Sequence, residues 1–462
     1  MKQQIDRRTW LQVVGAAGAG AVFEQSALAE LLSHPVEFPP HPLSKPPDRP
    51  VTAIVAGAGS RGNTYAGYSL KFPEQLKIVG CAEPITVRSD RFAATYGIAA
   101  DNRFTTWEHI FARPKFADAV IITTPDALHY GPAMAALKMG YDVLLEKAIA
   151  QTWEQCTDIL RAARDGGRVV GVCHVLRYSP YFRKIKEVLE AGALGRVIHI
   201  DLLEPVEHVH MSHSFVRGNW SNTKVSNPML LSKSCHDLDL LRWYVNTRCV
   251  RVSSFGNLAW FRKENAPEGS TARCTDGCAV EPGCPYSALK IYYRNRSWLH
   301  HFDLPASGDQ GPAIMENLRS GPYGRCVFRS DNDVVDHQVV SLEFDGGITA
   351  SFSMQAHTSY AGRRIRIMGS KGDLVGDEQT LSVVDFGTDK KAEWNARDIA
   401  DLDSGHGGGD YGLVRDWVQA VSQHNPSMLA TDIGTAMESH LMGFRAEESR
   451  LRGELREVET VG

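Results

Sequence analysis

Gly57, Gly59 and Gly62 stand in G-x-G-x-x-G spacing directly after the apolar run Val51–Ala56 and before a segment suited to a helix. Such spacing fits a dinucleotide: Gly57 permits a tight turn, Gly59 lets a pyrophosphate approach the backbone, and Gly62 lets the helix pack against the sheet. The amides at the helix start, around Ser60 and Arg61, are where phosphates would be held. Glu83 ends a second apolar run, Leu76–Ala82, about 20 residues further on, where a carboxylate accepts hydrogen bonds from ribose hydroxyls. A carboxylate there disfavours a ribose phosphate, so NAD is the expected cofactor, and nearby Arg88 keeps NADP open.

Further groups able to do chemistry follow. Glu146-Lys147 closes an apolar run, and His236 opens the amphipathic stretch HDLDLLRWYV. Histidines 208, 210 and 213 have spacing that could ligate a metal, but no carboxylate–histidine arrangement completes a site. A sugar-binding loop is the expectation there, with Trp220 stacking on a ring and His210 and Arg217 giving hydrogen bonds. In SGHGGGD, His406 and Asp410 would flank free amides and grip ligand hydroxyls. Cys274, Cys278 and Cys284 fall in one short stretch with glycine and proline turns between them, and Cys326 follows. That cluster reads as a structural zinc knuckle, as a disulfide formed on export, or as free buried thiols.

These residues need elements to place them. Asp118–Ile122, Tyr141–Leu145 and Arg168–Val175 read as further buried strands, with helices between them around Val87–Tyr96, Trp107–Phe111 and Trp153–Asp165. Near-continuous apolar strands separated by helices make a parallel sheet covered on both faces. Ligands of such sheets bind beyond the carboxyl ends of the strands. That rule gathers Gly57–Gly62, Glu83, Thr124-Pro125, Glu146-Lys147 and His174–Tyr178 into one site. Beyond it, Val339–His357 reads as a hairpin turning at Asp345-Gly346-Gly347, and Arg364–Leu374 as a second one turning at Lys371-Gly372. Their alternation builds a sheet with one apolar face.

The 462 residues suffice for two domains, each with its own core. Net charge is −4, with no basic stripe, which excludes nucleic acid as an expected partner. At the start, Arg7-Arg8, a short small-residue apolar stretch and Ala27-Leu28-Ala29 read as a Tat-type export signal over residues 1–29. A proline-rich arm spans 30–50, an NAD(P)-binding domain 51–176 and a substrate and oligomerisation domain 177–462. No later stretch is long and apolar enough to be a transmembrane helix.

TPDxxH at Thr124–His129, EK at Glu146-Lys147, RYxP at Arg177–Pro180, AGALG at Ala191–Gly195 and HDLDLLRW at His236–Trp243 follow the glycine motif in the order of the Gfo/Idh/MocA oxidoreductases. The chain resembles that family over nearly its whole mature length. The resemblance implies an α/β fold: a Rossmann domain with a doubly wound parallel sheet, then an α+β domain with an open mixed or antiparallel sheet. Thr124, Pro125, His129, Glu146, Lys147 and Arg177 are expected around the cofactor, and Tyr178, His210, Arg217, Trp220, Lys233, His406 and Asp410 around a sugar or cyclitol. The resemblance implies Lys147 and His236 as the catalytic pair, and a homo-oligomer formed through the second sheet. Two departures stand out: Ala148 replaces the family's proline after EK, and Ser232-Lys233 stands where many members have aspartate four residues before the histidine.

The expected activity is an exported NAD(P)-dependent oxidoreductase that keeps its cofactor bound and acts on a sugar, cyclitol or glycoside hydroxyl. The alternatives are an NAD-dependent glycosidase working by transient oxidation and elimination, and a non-catalytic sugar-binding protein.

Overall fold

The computed structural model describes residues 25–33, 47–398 and 405–461. Six strands form the first sheet: β1 Val51–Ala56, β2 Leu76–Ala82, β3 Arg103–Phe104, β4 Ala119–Ile122, β5 Asp142–Leu145 and β6 Val170–Val172. They lie in the order β3-β2-β1-β4-β5-β6, and every pairing is parallel. Ala119, Val120, Ile121 and Ile122 are all at zero exposure, as a strand covered on both faces must be. The order reverses between β1 and β4, which opens a crevice beyond their carboxyl ends. β3 is two residues long, too short for its alternation to show in the sequence.

The second sheet contains β7 Val197–Pro205, β8 Cys249–Asn257, β9 His337–Phe344, β10 Ile348–Gln355, β11 Arg364–Gly369, β12 Gly372–Gly376, β13 Thr380–Asp385, β14 Lys390–Asn395 and β15 Arg456–Glu457. Its order is β14-β13-β12-β11-β7-β10-β9-β8-β15. Only β7 and β10 run parallel, so the sheet is mixed. Asp345–Gly347 turns the first hairpin, and Phe344 faces Ile348 across it. The second hairpin turns at Ser370-Lys371, and Gly372 already belongs to β12, because an added Cβ there would meet the Val384 carbonyl of β13 at 2.5 Å. Ile200, Leu202, Leu342, Phe352 and Ile367 point inward by the period-2 alternation, beneath the helices Pro180–Glu190, Cys235–Val245 and Ile433–Arg452.

The end of the chain returns to the first domain. The helix Gly409–Ser422 lies against the helix Ser60–Lys71, and its Trp417 indole donates to the Val143 carbonyl of β5 at 3.0 Å. The Val172 amide of β6 donates to Thr431 O at 2.9 Å, one residue before Asp432 caps the last helix. The two domains therefore share a core.

The Tat-type segment lies largely outside the described residues, as does 34–46 of the arm. Within 1–33, a helix over Gln25–Ser33 buries Leu28 and Leu32, and Lys184 Nζ donates to Leu31 O at 3.1 Å. The expected cleavage site, Ala27–Ala29, falls inside this helix. Among the described residues, no helix is long and apolar enough to cross a membrane.

Candidate active site

The glycine turn has the geometry its spacing demands. Gly57 adopts φ +98°, and a Cβ there would meet Thr123 O at 2.6 Å; one on Gly62 would meet Gly57 O at 2.2 Å. Gly59 has nothing within 4 Å of the same position, so the turn is closed toward the protein and open on the side where a pyrophosphate would lie. Glu83 accepts from the Ala58 and Ile85 amides at 2.9 and 3.1 Å, which ties the turn to the end of β2. These residues fit a dinucleotide. Arg88 is ion-paired to Asp303 at 2.7 Å, an engagement that leaves NAD the better match to Glu83.

Arg61 begins the helix Ser60–Lys71, but its side chain turns inward. Nε donates to Glu146 at 2.7 Å and Nη2 to Asp410 at 2.6 Å. Burial alone would raise the Glu146 carboxyl, yet Arg61 and Lys147 outweigh it and hold the group low. Asp410 behaves likewise: burial opposes its charge, and Arg61 with His406 keeps it ionised. Asp410 is thus the anchor for Arg61, a correction to its expected grip on ligand hydroxyls. His406 keeps its place at the cleft, its ring 6.0 Å from that of His236.

Lys147 follows β5 and points to the other domain. Its Nζ donates to the Ser232 carbonyl at 2.5 Å and lies 5.5 Å from the Trp220 ring. The Trp220 indole is in turn held by Asp126 at 3.0 Å. The Lys147–Ala148 peptide is cis. His236 opens the helix Cys235–Val245, one turn beyond Ser232, and its Nδ1 is buried with no partner. Burial first, then the Lys147 ammonium, then His174 and His406 push its pKa well below the ordinary imidazole range, so it is neutral. The amine lies near enough to the imidazole for its charge to act on the ring. His174, directly after β6, packs edge-on to His236 with centroids 5.8 Å apart, and neither of its ring nitrogens has a partner. The strand-end rule marks His174; its packing against His236 was not legible.

Lys233 reaches Glu204 at 3.1 Å, and Arg363 reaches Glu204 at 2.9 Å and Asp237 at 2.6 Å. The cation expected in place of the family's aspartate is therefore answered by a buried carboxylate from the end of β7. Arg363 and Lys233 overcome burial to hold Glu204 low, whereas burial raises Asp237 despite Arg363. His210 is made neutral by burial and then by Lys233, with its pKa pushed down to about 3. Its ring lies 4.9 Å from Trp298.

Four other expectations are corrected. Arg177 is buried and fork-bonded to Asp239 at 2.6 and 2.7 Å, so it braces the His236 helix and does not line the cofactor. Tyr178 is 1% exposed and bonds Thr431 at 3.0 Å, inside the core. His129 lies between the carbonyls of Ala148 at 2.6 Å and Thr124 at 2.9 Å, so it positions the Lys147 segment and the Thr124-Pro125 turn. Arg217 donates to Arg325 O and Tyr286 O, each at 2.7 Å, and belongs to the cysteine-bearing segment. In the triple-histidine stretch, His213 bonds the Tyr292 hydroxyl at 2.8 Å and stacks on Tyr323, so the three rings converge on no metal.

A doubly wound parallel sheet with a glycine turn, a carboxylate at the end of its second strand, and an amine near an imidazole of the other domain fit a nucleotide-dependent oxidoreductase. The chain belongs to the Gfo/Idh/MocA oxidoreductase family: residues 51–174 match its NAD-binding Rossmann fold and 186–450 its C-terminal alpha/beta domain. YteT of Bacillus subtilis, which carries an oxidoreductase name, is 28% identical over 316 residues, 65% of this chain and 71% of its own. A 1,5-anhydro-D-fructose reductase of Ensifer adhaerens is 26% identical over 193 residues, 42% of this chain and 56% of its own, so the match spans little more than half of that relative. Levoglucosan dehydrogenase in complex with NADH and L-sorbose shares the fold, with TM-score 0.66 and 18% identity over 89% of this chain and 100% of its own. So does an inositol dehydrogenase homolog complexed with NAD+ from Azotobacter vinelandii, with TM-score 0.65 and 17% identity over 90% and 99%.

Proposed function

We propose that this protein is an NAD-dependent dehydrogenase that oxidises a secondary hydroxyl of a sugar, cyclitol or glycoside. The observation that carries this is the bond from Lys147 Nζ to the Ser232 carbonyl, which brings an amine of the first domain to the start of the second domain's His236 helix. When bound, NAD supplies the acceptor for a hydride leaving the substrate carbon. His236, neutral and with Nδ1 unbonded, takes the hydroxyl proton. The Lys147 ammonium balances negative charge developing on the substrate oxygen. Trp220 and neutral His210 offer the apolar ring surfaces that a sugar face needs.

Export with the cofactor in place belongs to the same reading, on the strength of Arg7-Arg8 and the small-residue stretch after them. Self-association through the second sheet belongs to the same reading, and exposed Phe255, Val339 and Val375 on that sheet support it. The test mixes purified full-length protein with sugars, cyclitols and an aryl glycoside while nicotinamide absorbance is followed. Lasting reduction supports the dehydrogenase. Release of the aglycone without net reduction replaces it with redox-assisted glycoside cleavage, and neither signal with bound sugar leaves a binding protein.

A further inference from the structure

We propose that Cys274, Cys278, Cys284 and Cys326 bind one zinc ion, which staples the segment between β8 and β9 to itself. All four line one cavity of about 510 Å³, whose lining includes none of Lys147, His174 and His236. The backbone sets up this convergence. Arg273 and Arg325 form an antiparallel bridge, with the Cys274 amide donating to Gly324 O and the Cys326 amide to Ala272 O, each at 2.9 Å. That places Cys274 beside Cys326 despite their separation in sequence. Cys278 and Cys284 bracket the single turn Glu281–Gly283. None of the four is in a disulfide.

Two N–H groups face the Cys274 sulfur. The Ala288 amide donates to Cys274 Sγ at 3.4 Å, and Arg217 Nη2 lies 3.9 Å from the same sulfur. Such N–H donors around the ligands are what orient and charge a metal-bound thiolate. Arg217 is 3% exposed, lines the cavity, and its Nη1 is buried with no partner. It has no carboxylate among its bonded partners. An unanswered buried cation is costly, and zinc with four thiolates carries a net negative charge that answers it. The segment also needs a staple: its own buried cluster is small, built on Ile291, Tyr292, Phe302, Ile314 and Leu318. Clamped, it reaches the first domain through Arg88–Asp303 and Arg91 to Leu304 O, beside the Glu83 end of β2.

One other group competes. Among the described residues, the three potential ligand atoms lying within 4.8 Å of one another belong to His174, Cys235 and His236. The Lys147 ammonium acts on all three, which opposes a second cation, and they belong to the cleft already described. The cysteine sulfurs stand wider apart, and zinc–sulfur bonds of about 2.3 Å draw them together on loading.

The experiment is metal analysis of the untagged full-length protein after growth with zinc. One zinc per chain is expected, released by p-hydroxymercuribenzoate as four thiols react. Cys278→Ser and Cys326→Ser should each cut zinc content at least fivefold, while His174→Gln retains it. Cobalt replacement should give thiolate-to-metal charge-transfer absorption. Absence of stoichiometric zinc, a mass deficit showing disulfides, or zinc that follows His174 overturns the proposal. If the serine variants do not fold, the mercurial titration of the unaltered protein decides it.

Discussion

Around Arg61, every charge in the floor of the cleft is answered: Glu146 and Asp410 by the guanidinium, Glu83 by two backbone amides. A few ångströms away the imidazole side is the reverse. His174 has no bond at either ring nitrogen, and His236 has none at Nδ1. The first region is charged and complete, the second neutral and open. A paired, buried floor holds its shape without a ligand. Buried polar atoms without partners carry a desolvation penalty of about 1–3 kcal/mol each, which an arriving hydroxyl relieves. Substrate binding is therefore expected to draw its specificity from the open side.

Lys147 stands between the two regions, and replacing it gives the largest expected effect. Lys147→Met should slow hydride transfer about 10³-fold, within the range for a group that stabilises charge developing in the transition state, with nucleotide affinity changed less than threefold. Single-turnover absorbance and a fluorescence titration with NAD read the two quantities. If nucleotide affinity collapses instead, the lysine belongs to the floor and the division fails. Next comes Asp410→Asn. Arg61 keeps Glu146 but loses a carboxylate at zero exposure, and a broken buried pair costs about 3 kcal/mol, measurable by urea unfolding. An unchanged midpoint would mean the floor is not pre-formed by its ion pairs. Glu83→Ala should be smaller: the Ala58 amide loses its acceptor, and NAD affinity falls about tenfold while the rate of the bound complex holds.

The contrast also separates what the sequence could reveal from what it could not. Gly57, Glu83, Glu146 and Lys147 were legible because each follows a strand, and a parallel sheet sends all its carboxyl ends to one edge. The second sheet's hairpins were legible through their alternation. The partners were not. Nothing in residue type says that Arg61 will find Asp410 or that Arg177 will find Asp239, since those pairings exist only once helices distant in sequence pack together. Ser232 holds Lys147 through a backbone carbonyl, a group every residue possesses. Arg177, Tyr178 and Arg217 lie near the right motifs, yet burial turned them to structural duty.

Acid should unfold the two regions in different windows. His174, His236 and His440 are buried and neutral, their folded pKa values pushed below 6.5 by burial first, His440 to about 3. The unfolded chain binds protons at these groups that the folded chain refuses. Their contribution is intact above pH 6.5, and stability declines as pH falls below it. Asp410 and Glu146 are held low by Arg61, so the stability they lend persists above their unfolded values, near 3.8 and 4.5, and is lost only below them. Between pH 6 and 5 the slope of unfolding free energy against pH sums the buried histidines, His210, His213 and His301 included, and is opposed by Asp237, whose carboxyl burial raises to about 6. His174→Gln removes one such group without breaking a hydrogen bond and should lower that slope by about 1.4 kcal/mol per pH unit, one proton's worth. An unchanged slope would mean that His174 is already charged in the folded protein, and the open side would then be a cationic one built to hold an anion.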